Sequence, residues 1–84
     1  MAKYRKRPVV IEAVQLGGSQ EDIAAALRFC GRLQMFSPGP LRFAVRTLGG
    51  MMEGNVGDWL IKGIAGEFYF CKPDIFEMTY KPVE

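Results

Sequence analysis

Basic and aromatic side chains are the residues of this 84-residue chain that could do chemistry. Two arginines recur on the polar side of one predicted strand, lysines end two others, and aromatic rings lie near those lysines in the sequence. Guanidinium and ammonium groups bind phosphate, and ring faces stack on bases. The pattern predicts a binding site for a negatively charged ligand, with ordinary surface charges and core rings as the competing interpretation. The candidate residues are Arg42, Arg46, Trp59, Lys62, Glu67, Tyr69 and Lys72.

A second basic set lies at the N-terminus. Four positive residues fall within the first seven, and the remaining seven basic and nine acidic residues sum to −2. Such an arm can contact nucleic-acid phosphates, although a solvated, flexible terminus explains the same charges. The residues of this alternative site are Lys3, Arg5, Lys6 and Arg7.

Catalytic groups are scarce in the chain. There is no histidine, so the usual acid–base group at neutral pH and the commonest nitrogen ligand for metals are missing. Ser19 and Ser37 have no evident base, and the carboxylates of Asp58 and Asp74 stand at positions typical of turns. We therefore predict a non-enzyme that uses no cofactor and no metal.

Composition predicts one small domain spanning residues 1–84, with residues 1–7 as a basic arm. Hydrophobic residues make up 49% of the chain, which is generous for a domain with so much surface, and this favours a homo-oligomer. Two cysteines do not form a disulfide framework, and no apolar segment approaches the ~20 residues of a membrane span. The expected location is the cytoplasm, with no membrane partner.

Apolar periodicity predicts an α+β fold. An amphipathic helix at about residues 20–30, capped by Ser19, is expected to pack on an antiparallel sheet of five or six short strands, with a barrel-like arrangement as an option. We expect residues 9–16 to form a central strand, residues 41–48 to alternate, residues 63–66 to turn a hairpin and residues 75–80 to close the sheet.

Both ends of the chain resemble a family of small phage and prophage proteins. The similarity lies in YRKRPVVIEAVQ at residues 4–15, GDWLIKG at 57–63, GEFY at 66–69, CKPDIFE at 71–77 and TY at 79–80. It covers about half of the chain and departs at Phe70, where the family usually has proline. The resemblance implies a phage or prophage origin and action in a bacterial cytoplasm, but it implies no catalytic residues.

These observations lead to two functional hypotheses. The first is a non-enzymatic phage accessory protein that self-associates and either engages a host defence protein or sequesters a small phosphorylated or nucleotide ligand. Inhibition of host defence is an analogy with other small phage proteins, some of which trap nucleotide signals. The alternative is a nucleic-acid-binding protein that uses the basic arm and the strand arginines.

Overall fold

Six strands and two helices make up the fold. The computed structural model describes residues 1–5 and 7–83. In chain order the elements are β1 (Glu12–Gln15), α1 (Gln20–Phe29), β2 (Gln34–Phe36), β3 (Arg42–Thr47), β4 (Gly50–Asn55), β5 (Trp59–Lys62), β6 (Phe68–Cys71) and α2 (Pro73–Thr79). The predicted α+β class is confirmed.

The strands form two antiparallel sheets rather than one. Sheet A has the order β1-β5-β6 and sheet B the order β2-β3-β4, and the described residues form no closed barrel, so the barrel-like option was wrong. The turn after β4 explains the division. Gly57 has φ +100°, its amide donates to the carbonyl of Leu16 at 2.8 Å, and the amide of Leu16 donates to the carbonyl of Asp58 at 2.8 Å. The chain is thereby turned towards β1 instead of returning along β4.

The first strand lies at the edge of sheet A, which corrects the prediction of a central strand over residues 9–16. Its only neighbour among the described strands is β5, with Glu12 opposite Lys62 and Gln15 opposite Trp59. Because β5 ends at Lys62, residues 9–11 have no strand across from them in the described part of the chain. The apolar run alone could not reveal where its partner stops.

Helix α1 matches the predicted helix closely. Ser19 Oγ accepts the amide of Asp22 at 3.0 Å, and the amide of Cys30 donates to the carbonyl of Ala26 at the other end. Such caps satisfy backbone groups that the helix leaves unpaired. Ala26 is completely buried, so α1 approaches the sheets closely.

The core lies where α1, sheet A and sheet B meet. Phe43 and Val45 of β3 are fully buried, as their alternation predicted, while Arg42 and Arg46 point outward and are exposed. On sheet A, Phe70 packs its ring directly against Gly54 of β4. The buried cluster comprises Leu16, Ala26, Cys30, Leu33, Phe43, Val45, Leu60 and Phe68.

The closing strand predicted over residues 75–80 is a helix, so the prediction of a single helix was also wrong. Pro73 opens α2 at a position that proline favours, and Asp74 lies in the first turn, where the helix dipole favours negative charge. The ring of Phe76 stacks on Trp59 with centroids 4.1 Å apart and planes at 6°. This helix therefore covers the face of sheet A that points away from the core.

Candidate functional site

Two arginines and a glutamate line a cleft between hairpin tips, which we call the arginine cleft. It has a volume of about 420 Å³ and lies between the turn that joins β3 to β4 and the turn that joins β5 to β6. The residues that line it are Arg32, Arg46, Thr47, Leu48, Ala65, Gly66, Glu67 and Phe68.

The pairing of β2 with β3 brings the two arginines to the same place. Gln34, the first residue of β2, pairs with Ala44. Arg32 precedes Gln34 by two residues, and Arg46 follows Ala44 by two residues. In an antiparallel pair these offsets carry both side chains to the same end of sheet B.

Neither arginine forms an ion pair with a protein carboxylate within the described residues. Within the described residues, Arg32 and Arg46 make no ion pair of 4.0 Å or less, and both are exposed. The guanidinium carbon of Arg32 lies 5.1 Å from the centroid of Phe68, a cation–π contact that holds it over the floor of the cleft. The cleft therefore has positive charge available for a ligand.

The hairpin between β5 and β6 fixes the position of Glu67. Its Oε1 accepts the amide of Ala65 at 3.2 Å, and its side chain packs directly over the α-carbon of Gly63, where a larger residue would leave no room. The amide of Gly63 donates to the carbonyl of Glu67, and Gly66 turns the chain with φ +81°. The predicted hairpin is confirmed, and Glu67 at its end is one of the residues that line the cleft.

A second depression, the terminal groove, lies beside α2. It has a volume of about 640 Å³ and is lined by residues 8–11 and 79–83 together with Ala13, Trp59 and Phe76. Phe76 covers one face of the Trp59 ring, so that face cannot stack on a ligand.

Tyr69 belongs to the same side of the molecule as α2. Its hydroxyl lies 3.5 Å from that of Tyr80. Burial, followed by the hydrogen bond with Tyr80, raises the pKa of Tyr69 to about 12. The phenol is therefore neutral at physiological pH, and its contacts are those of a residue that fixes α2.

The two candidate lysines lie at opposite ends of the β5–β6 hairpin. Lys62 pairs with Phe68 next to the turn, whereas Cys71, at the other end of the ladder, pairs with Trp59. Lys72 follows Cys71, and its Nζ donates to Asp58 Oδ2 at 3.1 Å. Antiparallel pairing thus separates the two ammonium groups instead of joining them.

The thiol of Cys71 is not activated by its neighbour Lys72. Burial, and then the negative charges of Asp74 and Asp58, raise the pKa of Cys71 above its ordinary value. Cys30 is buried in the core, and both cysteines are free.

Of the candidates predicted from the sequence, only Arg46 and Glu67 meet in the arginine cleft. Arg42 lies on the outer face of sheet B, 3.8 Å from the carboxylate of Glu53 and 6.0 Å from the ring centroid of Phe36. It is therefore engaged outside the cleft.

None of the described residues of the basic arm lines the arginine cleft, whereas Arg32, which the sequence did not single out, does. Lys3, Arg5 and Arg7 are exposed, and Lys6 lies outside the described residues. Arg32 was missed, although counting back from the turn at residues 37–40 places it near Arg46.

The described part of the chain contains no cluster of three or more acidic or cysteine residues arranged to hold a metal ion. Within that same part, neither helix has the length and apolar character that crossing a bilayer requires. No family model, curated protein or solved structure matches this chain.

Proposed function

We propose that the protein is a non-enzymatic binding protein whose arginine cleft takes a small phosphorylated ligand. The observation that carries the proposal is the presence of two guanidinium groups, from Arg32 and Arg46, that line one cleft without a carboxylate partner in the described chain.

Electrostatics favours an anion between these groups. Two guanidinium groups that line one cleft add their positive potentials, and a phosphate bound there would accept charge-assisted hydrogen bonds from them. A guanidinium matches the geometry of phosphate oxygens better than an ammonium does. The volume of about 420 Å³ is within the range of sites for small molecules.

The proposed site differs in part from the one that the sequence predicted. Trp59 and Lys72 have structural partners in Phe76 and Asp58, so they support the fold at the other end of the hairpin. The charged residues of the proposed site are Arg46 and Glu67, which the sequence predicted, and Arg32, which it did not.

Calorimetric titration of the protein with pyrophosphate and with nucleoside mono-, di- and triphosphates at low ionic strength tests the proposal. Arg32→Gln and Arg46→Gln should each weaken binding by about tenfold or more, because a charge-assisted hydrogen bond contributes about 1.5–3 kcal/mol. Arg28→Gln, which removes an exposed arginine of α1 outside the cleft, is the matched control. Absence of binding at millimolar ligand, or equal weakening by the control, would refute the proposal.

The resemblance of both chain ends to phage proteins supports a setting for this activity. In that setting the chain is a phage accessory protein in a bacterial cytoplasm, and the ligand is a nucleotide signal of the host. Engagement of a host defence protein is the other form of the same hypothesis. Capture of labelled nucleotides from infected and uninfected cells would distinguish a nucleotide ligand from a protein partner.

Self-association is a further part of the proposal. Large apolar side chains of the terminal groove remain exposed, Val10 at 71% and Val83 at 74%, and Met78 of α2 is 80% exposed. Exposed apolar surface favours contacts between copies. Sedimentation equilibrium over a wide range of concentration should show a mass above 9.4 kDa. A mass that stays at the monomer value at every concentration would exclude self-association.

Nucleic-acid binding is the second candidate function. The observation that favours it is the outer face of sheet B, where Arg42 lies over Phe36 and Arg46 follows on the same strand. Rings and basic groups on a sheet face can hold single-stranded bases and phosphates. Fluorescence anisotropy with short DNA and RNA should show affinity that falls steeply as salt rises. Binding that is absent, or insensitive to both salt and Phe36→Ala, would eliminate this candidate.

A further inference from the structure

We propose that Glu67 makes the arginine cleft selective for phosphorylated ligands that also carry an ammonium group or another N–H donor. The inference rests on the proposed function and names the class of ligand, a phosphate monoester with a donor near the phosphate. It starts from the fact that side chains of both signs line this cleft.

The charges of the cleft do not neutralise each other. Among the described residues, the carboxylate of Glu67 forms no ion pair with Arg32 or Arg46. Its oxygens therefore lie more than 4.0 Å from the guanidinium nitrogens of both arginines. A ligand with a phosphate alone satisfies the arginines but brings its negative charge towards Glu67. A ligand with both signs satisfies all three side chains at once.

Glu67 is positioned before any ligand arrives. Oε1 is held by the amide of Ala65, and the side chain lies against Gly63. The second oxygen, Oε2, makes no hydrogen bond within the described chain and can accept one from a ligand. Because the hairpin fixes the carboxylate, the site loses little side-chain entropy on binding.

Thr47 is the uncharged polar side chain of the cleft, and its hydroxyl is already hydrogen-bonded. The hydroxyl of Thr47 donates to the carbonyl of Gly50 at 2.7 Å and accepts the amide of Gly49 at 3.2 Å. Glu67 is therefore the side chain of the cleft that can select a donor on the ligand.

A matched pair of probes tests the inference. O-phosphoethanolamine and ethyl phosphate carry the same phosphate monoester and differ by the ammonium group. Titrations of ¹⁵N-labelled protein at neutral pH and constant ionic strength would follow the amides of Ala65 and Gly66 and the Nε–H groups of the arginines. The wild-type protein should bind O-phosphoethanolamine about threefold or more tightly than ethyl phosphate, as expected for a solvent-open ion pair.

The variant Glu67→Gln keeps an acceptor for the amide of Ala65 and removes the charge. It should bind both probes with equal affinity and retain the wild-type spectrum outside the cleft. Arg46→Gln should weaken the binding of O-phosphoethanolamine and of ethyl phosphate by the same factor.

The remaining outcomes separate this inference from the proposed function. If both probes bind the wild-type protein equally, or if their difference persists in Glu67→Gln, Glu67 does not select the ligand, whereas phosphate binding stands. If Glu67→Gln weakens the binding of both probes by the same factor, Glu67 has a structural role and the inference is overturned. If neither probe binds at tens of millimolar, the inference and the phosphate site both fail.

Discussion

Lys72 Nζ lies 3.1 Å from Asp58 Oδ2, and the side chain of Asp58 is only 6% exposed. The same oxygen accepts the amide of Asn55 at 2.9 Å. One carboxylate therefore joins the turn after β4 to the junction of β6 and α2. These contacts help to direct the chain from sheet B into sheet A.

Replacing Asp58 should destabilise the fold. Asp58→Ala removes both interactions and should lower the free energy of unfolding by about 1.5–3 kcal/mol, the range for a hydrogen bond to a charged group. Asp58→Asn keeps an acceptor for the amide of Asn55 and should cost less. Urea denaturation followed by circular dichroism measures both. Equal stability of Asp58→Ala and wild type would show that the contact does not support the turn.

Phe76 should be the residue that holds α2 on sheet A. Phe76→Ala removes the ring stacked on Trp59, and because Phe76 is half-buried we expect a loss of about 2 kcal/mol, below the ~3–5 kcal/mol of a fully buried phenylalanine. Trp59 should become more accessible, so its fluorescence emission should shift to the red. Met78→Ala alters an exposed residue of the same helix and is the control. If both variants behave alike, the stacking contributes nothing.

Local signals in the sequence predicted the elements that depend on local contacts. The cap at Ser19, the acidic first turn and the helical spacing of Ile23, Ala26 and Cys30 defined α1. The alternation of Phe43 and Val45 with Arg42 and Arg46 predicted β3, although Ala44 between them is buried as well. Each of these patterns has one physical explanation, so the structure follows it.

A segment whose apolar residues fit both the strand period and the helix period could not be assigned from the sequence. The apolar residues at positions 75–80 suit a strand with alternate faces, and they suit equally a short helix that places Phe76 and Tyr80 four residues apart. Contacts with residues distant in sequence decide between the two. Trp59 stacks on Phe76, and the hydroxyl of Tyr69 lies beside that of Tyr80. Tertiary packing overrides propensity in such cases.

The candidate site was predicted only in part, because it too depends on contacts between residues that are distant in sequence. Arg46 was found because β3 alternates, and Glu67 because neither turn nor core explained it. Arg32 depends on the register of β2 against β3, and the separation of Lys62 from Lys72 depends on the antiparallel pairing of β5 with β6. Register depends on both strands and on the turn between them, so alternation within one strand does not reveal it, although counting back from a recognised turn can.

Cys71 should react slowly with alkylating reagents. Its pKa is raised by burial and by the charges of Asp74 and Asp58, so the thiolate fraction near neutral pH is below that of an ordinary cysteine. The rate of iodoacetamide labelling in Cys30→Ser should therefore be lower than that of an unstructured cysteine peptide and should rise only at higher pH. Asp74→Asn removes one of the charges and should speed labelling. A rate equal to that of the peptide, unchanged in Asp74→Asn, would contradict this explanation.

Gly54 should tolerate no side chain. It lies on β4 opposite Phe43, and a β-carbon there would come within 2.7 Å of the Phe70 ring, closer than real β-carbons approach other atoms. The ring belongs to β6, so Gly54→Ala would force sheet A and sheet B apart or push Phe70 from its position. We expect a loss of about 1–3 kcal/mol, as for an overpacked core, measured by thermal and urea unfolding.

Gly18→Ala is the matched control for that substitution, because no atom outside Gly18 and its two chain neighbours lies within 4 Å of the position that its methyl group would occupy. It should change stability by less than about 0.5 kcal/mol, as surface substitutions usually do. The double variant Gly54→Ala with Phe70→Leu, which replaces the opposing ring by a smaller side chain, should recover part of the loss. If Gly54→Ala is as stable as Gly18→Ala, the two sheets are not in close contact at this point, and the packing of Phe70 against β4 is wrong.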